Sequence, residues 1–419
     1  MKLTVIGGGS TYTPELVEGL ARMFGSLTVD ELVLVDPAAE RLEIVGGLAR
    51  RILSRAGYPG ALRCTSRPDE GLDGADAVVL QLRVGGQRAR IGDETIPLGY
   101  GCVGQETTGA GGLAKALRTV PVALDIARRA RERAPGAWII DFTNPVGIVT
   151  RALLDDGHRA VGLCNTAIDL QRYFAGLLGT DPSAVSLDHV GLNHLTWERA
   201  VLVDGVDVLP RLLDRHGEQI AARVGLPVRL LRLLGAVPSG YLRHYYAHDE
   251  VLREQRRYGA TRGQRVAEIE RELLDRYADP ALCTVPDLLS QRGGAYYSHA
   301  ALGLMASLYG EESGVHVLDV RNEGTLPFLS DPAVVEVPCV VGRDGVRPRP
   351  CAPVAPEVAG LIAHVAAYEE LAVEAAVRGG RDRVFRALLA HPLIARADLA
   401  DRLADHLVGA NAHYLRWAR

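Results

Sequence analysis

Lysine is almost missing from this chain. Of 47 basic residues only Lys2 and Lys115 are lysines, and the rest are arginines; a GC-rich coding bias accounts for a general preference of this kind. No apolar run approaches the roughly 18–20 residues that span a bilayer, which excludes a transmembrane helix. No basic block stands out and the formal net charge is −4, which argues against a nucleic-acid partner. The six cysteines, Cys64, Cys102, Cys164, Cys283, Cys339 and Cys351, form no CxxC pair and no short disulfide spacing. In a reducing compartment such residues are small buried hydrophobes, so any special role for one of them must come from its position. The opening MKLTVIGGG runs straight into a strand pattern, which leaves no room for a signal peptide and predicts a cytoplasmic protein.

What is present is the composition of a globular protein, 47% hydrophobic and 23% charged over 419 residues, long enough for two domains. The first 165 residues alternate apolar runs with helical patterns: LTVIG, a helix capped at Thr13 with Pro14 at its first position, ELVLVD, a helix, LRCT, ADAVVLQLRV, a helix over about 112–133, AWIIDF, another helix and RAVGLC. Apolar strands separated by helices predict an α/β fold, a Rossmann-like, doubly wound parallel sheet spanning 1–165. The rhythm then changes. Residues 166–419 read as an α+β domain, with hairpin signals at Asp204-Gly205 and Asp344-Gly345, a helical stretch over about 208–278 and long helices over about 355–416.

Gly7, Gly8, Gly9 and Ser10 lie between the first strand and the first helix, where glycine lets the backbone approach a pyrophosphate. The third glycine of the usual fingerprint is replaced by Tyr12. Asp36, at the end of the second strand, suits both ribose hydroxyls and so favours NAD over NADP. Ligands of such a sheet bind beyond its strand ends, and four segments bring polar residues there: Arg83 to Arg90 with Asp93 and Glu94, then Asp141 to Asn144, then Cys164-Asn165, and a hairpin carrying His189, Asn193 and His194. A thiolate and an imidazole, Cys164 and His194, make a two-ligand site for a divalent transition metal, open to substrate oxygens; a buried core thiol and a hydrogen-bonded core histidine are the plain alternatives. A 2-hydroxy-acid dehydrogenase would find a use for Arg90 and Asn144 but would leave Cys164 without a task. A non-catalytic NAD-binding regulator is the alternative outside enzymes.

The blocks GGGSTYTPELVEGL, VGGQRARIGDETIPLGYGCVGQETTGAGGLAKALRT, DFTNPVGIVT, GLCNTAIDLQR, GLNHLTW, PSGYLRHYY, TRGQRVAEIE and VRNEGTLPFL, in this order, resemble the NAD- and metal-dependent enzymes of glycoside hydrolase family four, nearest to its 6-phospho-β-glucosidases. That family stands outside the paired-carboxylate mechanism of most glycosidases. The resemblance implies an overall layout like that of lactate and malate dehydrogenases. It also implies hydrolysis by redox-elimination: C3 of the sugar is oxidised, the C2 proton is removed, the leaving group at C1 departs, water adds and C3 is reduced again. NAD and Mn²⁺, or another divalent transition metal, are the implied cofactors.

Residue by residue, the resemblance assigns Cys164 and His194 to the metal and Tyr241 to the base, with Tyr245, Tyr246 and Tyr258 as neighbours in sequence that compete for that role. Arg90 and Asn144 match substrate-binding positions, and Arg262 matches an arginine that contacts the substrate, suited to its phosphate. Relatives acting on α-glycosides commonly carry aspartate as a proton donor where this chain has Asn165, which fits the β branch and leaves the leaving-group acid unidentified. Other sugars of the same family, possible without the phosphate, remain open at this level. A homodimer or homotetramer is implied by the resemblance alone.

Overall fold

The computed structural model describes residues 1–293 and 296–418. Six strands form its parallel half: β1 (Lys2–Ile6), β2 (Glu31–Val35), β3 (Ala61–Thr65), β4 (Ala77–Leu80), β5 (Trp138–Asp141) and β6 (Ala160–Gly162). They lie in the order 3-2-1-4-5-6 and every neighbouring pair is parallel. Consecutive residues of a strand face opposite sides, and all four residues of β4 and the last four of β1 and β2 are buried, so both faces of this sheet are covered. The strand order reverses between β1 and β4, which opens the crevice where such sheets bind ligands.

The sheet does not end at β6. It continues through antiparallel strands β7 (Val185–Leu192), β8 (Leu195–Val203), β9 (Val206–Asp207), β10 (Val237–Pro238), β11 (Gly314–Arg321), β12 (Val334–Gly342) and β13 (Gly345–Pro348), giving thirteen strands among the described residues. Two joins in it are narrow. β6 meets β11 through the pair Gly162–Asp319, and β12 meets β7 through Gly191–Glu336. One apolar core runs along both parts. Among the described residues no helix is long and apolar enough to cross a membrane.

Several details differ from the sequence pattern. The first helix begins at Thr13, so Tyr12 is its cap and Pro14 its second residue; Thr13 is drawn into the helix and its hydroxyl accepts from Gln81 Nε2 at 2.8 Å. The main hairpin of the second half turns at Asn193-His194, between the paired Leu192 and Leu195, whereas the expected turn at Asp204-Gly205 is present but closes only a short hairpin of β8 with β9. The stretch 208–278 is not one helix. It breaks after Val224 and Leu234, at Gly225 and Gly235 with φ of 69° and 57°, and Tyr241 lies in the single 3₁₀ turn Gly240–Leu242, two short helices ahead of the helix Arg262–Ala278.

Candidate active site at the strand ends

The glycine loop after β1 is strapped to β2. The amides of Gly7 and Gly8 both donate to Val35 O, at 2.8 and 2.9 Å. Gly7 has φ 89°, and a Cβ there would lie 2.6 Å from Gln81 O, so no other residue passes this close to β4 without moving it. Gly9 N donates to Asp36 Oδ2 at 3.0 Å, and Ala38 N to Asp36 Oδ1 at the same distance. Those bonds fix the carboxylate at the rim of the loop and leave it lone pairs for two ribose hydroxyls. Ser10 N donates to Gly7 O and Ser10 Oγ accepts from Tyr12 N at 3.2 Å, which closes the turn into the helix. These residues fit a dinucleotide.

Cys164 lies two residues past β6 and is 4% exposed. Its Sγ is 3.2 Å from Thr166 Oγ1. Burial, and then the negative charge of Glu336, push the thiol's pKa up. Without a cation beside it this sulfur keeps its proton; a bound divalent ion reverses that balance outright. His194 sits in the hairpin turn with φ 62° and is likewise buried. Thr107 Oγ1 donates to Gln105 Oε1 at 2.9 Å and lies 2.9 Å from His194 Nδ1. With its proton committed to Gln105, the hydroxyl accepts from Nδ1–H, and Nε2 keeps the lone pair a metal needs. Burial and the nearby Lys115 ammonium lower the imidazole pKa to about 3, so the ring is neutral. Among the described residues no three of His, Cys, Asp and Glu are placed to hold a metal ion, so an ion held by Cys164 and His194 would take its remaining ligands from substrate or water.

Tyr241 stacks on His194, with ring centroids 3.7 Å apart and planes 10° from parallel. Burial, then Cys164 and Glu106, raise its pKa, while Arg90 acts the other way. Tyr245 instead stacks on His391 at 6.2 Å. Tyr246 and Tyr258 are 37% and 65% exposed, which leaves Tyr241 as the member of the four lying against His194. Tyr297, at the head of the helix Tyr297–Tyr309, was not visible in the sequence. It packs between Tyr12 and Phe142, at 6.2 and 5.4 Å, and its phenol feels the charge of Cys164 and Tyr241.

A buried ionic cluster borders these groups. Glu106 binds Arg83 Nη1 at 2.6 Å, Lys115 Nζ at 2.6 Å and Arg90 Nη1 at 3.1 Å. Burial opposes its ionisation, but the three cations hold its pKa well below the usual range. Burial lowers Lys115 to about 8 against the pull of Glu106. Arg90 Nε also binds Glu94 Oε1 at 2.8 Å, and Glu94 Oε2 accepts from Gly263 N at 2.7 Å, so Arg90 and the head of the Arg262 helix share one carboxylate. Arg262 itself is exposed and donates to the carbonyls of Gln291 and Arg292, at 2.7 and 3.0 Å. Partial burial of its head first, and then the charges of Arg90 and Arg265, lower its pKa, with Glu94 acting the other way. Asn144 follows β5, and its Oδ1 is buried without a hydrogen-bond partner among the described residues. Asn165 caps the helix Thr166–Leu178 and borders a cavity of about 390 Å³ together with Asp169, Arg223, Tyr241 and His244.

Behind the hairpin, His189 is clamped between Glu198 at 2.7 Å and Glu336 at 3.0 Å, and Asn193 Nδ2 donates to Glu336 Oε2 at 3.1 Å. Burial disfavours the imidazolium, but the two carboxylates raise His189 to about 10. Removing one member of so buried a set typically costs about 3–5 kcal/mol, because its partner charge is stranded. The set therefore anchors the turn that presents His194.

Models of known families match most of the chain: "Family 4 glycosyl hydrolase" over residues 2–180 and "Family 4 glycosyl hydrolase C-terminal domain" over residues 189–394. A 6-phospho-beta-glucosidase of Escherichia coli (strain K12) is 38% identical, with 99% of this chain and 96% of that protein aligned. The solved 6-phospho-beta glucosidase of Thermotoga maritima, with manganese, NAD⁺ and glucose-6-phosphate, superposes with a TM-score of 0.93 at 31% identity, covering 99% of each chain. Malate dehydrogenase of Plasmodium falciparum superposes with a TM-score of 0.57 at 14% identity, over 90% of this chain and 99% of that one; this likeness concerns the fold.

Proposed function

We propose, from the premise that this chain belongs to family 4 of the glycosyl hydrolases and is a glycosidase, that it cleaves 6-phospho-β-glucosides through oxidation at C3 and elimination across C1 and C2. The carrying observation is the meeting of Tyr241 with His194 and Cys164 at strand ends that also face the glycine loop. NAD⁺ supplies a reversible hydride acceptor, and a divalent ion such as Mn²⁺ supplies a Lewis acid for vicinal sugar oxygens. Gly7, Gly8, Gly9, Ser10 and Asp36 would hold the dinucleotide, and Cys164 and His194 the ion. Tyr241 would take the C2 proton and later return one, while Asn144 and Arg90 orient sugar hydroxyls and Asn165 borders the leaving group. In this proposal residues 1–165 serve the cofactor and 166–419 the substrate and assembly, in a cytoplasmic homodimer or homotetramer. Supporting the phosphate is the nearness of Arg90 and Arg265 to Arg262, whose charges disfavour its own.

The test is a set of nitrophenyl glycosides, with and without the 6-phosphate, assayed with NAD⁺ and Mn²⁺. Hydrolysis of the phosphorylated β-glucoside without NADH accumulation is expected; steady NADH production from a simple hydroxy acid would instead make the protein a dehydrogenase. Arg262 has its own test. If Arg262 reads the phosphate, Arg262→Ala should raise KM for the phosphorylated glucoside about tenfold or more, the loss of one charge-assisted contact. Weak turnover of the unphosphorylated analogue should hardly change. Equal losses on both would make Arg262 a strut for the 291–292 backbone.

A further inference from the structure

The adenosine end of the crevice carries two opposing signals. Gly9 N donates to the Asp36 carboxylate at 3.0 Å, and Gly9 O accepts from Arg41 Nε at 2.6 Å. One residue thus holds an acid that suits a free ribose 2′-hydroxyl and an arginine that suits a 2′-phosphate. What separates them is the other end of the guanidinium. Arg41 Nη2 lies 3.3 Å from Glu270 Oε2. Glu270 stands on the helix Arg262–Ala278, from the other half of the chain, and its side chain is 8% exposed against 32% for Arg41. The same carboxylate accepts from Arg292 Nε at 3.0 Å and from Thr11 Oγ1 at 3.4 Å.

We propose that Glu270 sets the choice of NAD over NADP, by keeping the Arg41 guanidinium engaged where a 2′-phosphate would otherwise recruit it. The inference rests on the reading of the glycine loop as a dinucleotide site. A 2′-phosphate entering beside Asp36 meets a carboxylate directly and finds the neighbouring cation already paired. Burial works against the Glu270 charge, but Arg292 and Arg41 keep its pKa below the usual range, so the clamp is ionised at neutral pH. Glutamate at this position is therefore a specificity device that lies outside the first two strands, where cofactor preference is ordinarily sought.

The test is calorimetric titration of the full-length protein with NAD⁺ and NADP⁺, without sugar. Glu270→Gln keeps the shape and removes the charge. It should tighten NADP⁺ about tenfold or more relative to NAD⁺, the return on one freed charge-assisted contact. Adding Arg41→Ala to that variant should cancel the gain, since the benefit passes through Arg41. Glu270→Asp, which withdraws the charge by one methylene, should shift the ratio in the same direction by less, and it serves as the readout if the glutamine variant fails to fold. An NADP⁺ to NAD⁺ ratio unmoved by the charge change, or a gain that survives loss of Arg41, overturns the proposal. Wild type that binds neither nucleotide overturns the dinucleotide reading, and this inference with it.

Discussion

Cys164→Ser is expected to abolish turnover and Mn²⁺ binding while NAD⁺ affinity stays nearly intact. The two sites draw on different parts of the chain: the cofactor loop is held by Val35 and Asp36, whereas Cys164 sits beyond β6 beside Thr166. Serine is smaller, and Thr166 Oγ1 can hydrogen-bond its hydroxyl, so the local fold has no reason to collapse. A serine hydroxyl, however, does not become the soft anionic donor that a metal draws from a thiol. Even partners outside the coordination sphere are worth roughly 10–100-fold in metal affinity, so loss of a direct ligand should exceed about a hundredfold. Electron paramagnetic resonance titration reads free Mn²⁺, and calorimetry reads NAD⁺. Wild-type activity that survives verified removal of all divalent metal would end the metal reading of Cys164 and His194.

Turnover in heavy water should leave deuterium at C2 of the sugar product. Conventional hydrolysis through an oxocarbenium ion does not break the C2–H bond, so this position separates the two routes. Tyr241 is the group whose chemistry is at stake. A phenol is a poor base at its ordinary pKa of about 10, and here burial, Cys164 and Glu106 push it higher still. Arg90 offsets only part of this, so proton abstraction requires a further positive charge against the stacked His194–Tyr241 pair. That requirement would tie the base to the ion, since one bound divalent cation would favour both the Tyr241 phenolate and the Cys164 thiolate. Tyr241→Phe should retain the ring stack and the bound metal yet lose most turnover and most C2 exchange together. Wild-type product with no deuterium at C2 by NMR, after many turnovers, sinks the elimination mechanism.

Much of this architecture was legible in the residues because it is local. Strands buried on both faces must be near-continuous apolar runs, and β1, β2, β4 and β5 are. Gly7 to Gly9 and Asp36 announce a loop that backbone geometry alone demands. Contacts between distant segments left no such trace. The sheet passes from one half to the other through a single residue pair, Gly162–Asp319, and within the second half β7 joins β12 through another, Gly191–Glu336; no periodicity records either. Thr107 orients His194 from 87 residues away, and Tyr297 reaches the site from a helix whose apolar pattern says only that it is buried. The breaks at Gly225 and Gly235 were masked by the apolar residues on either side of them. Lys115 is the instructive case. A coding bias towards arginine explains why lysine is rare but not where this one stands, buried against Glu106 and close enough to lower the pKa of His194.

The β6–β11 pairing has a thermal consequence. Cys164 follows β6, and the turn bearing His194 follows β7, which joins the same sheet through β12. Melting either half exposes the edge of the other and strips the shared apolar core of one wall. The metal-free, cofactor-free protein should therefore melt in a single endotherm whose van't Hoff and calorimetric enthalpies agree, where two loosely tethered halves would give two. The melting temperature of this enzyme would then be a property of the gap between its cofactor and its metal: heat cannot widen that gap by degrees, only abolish it.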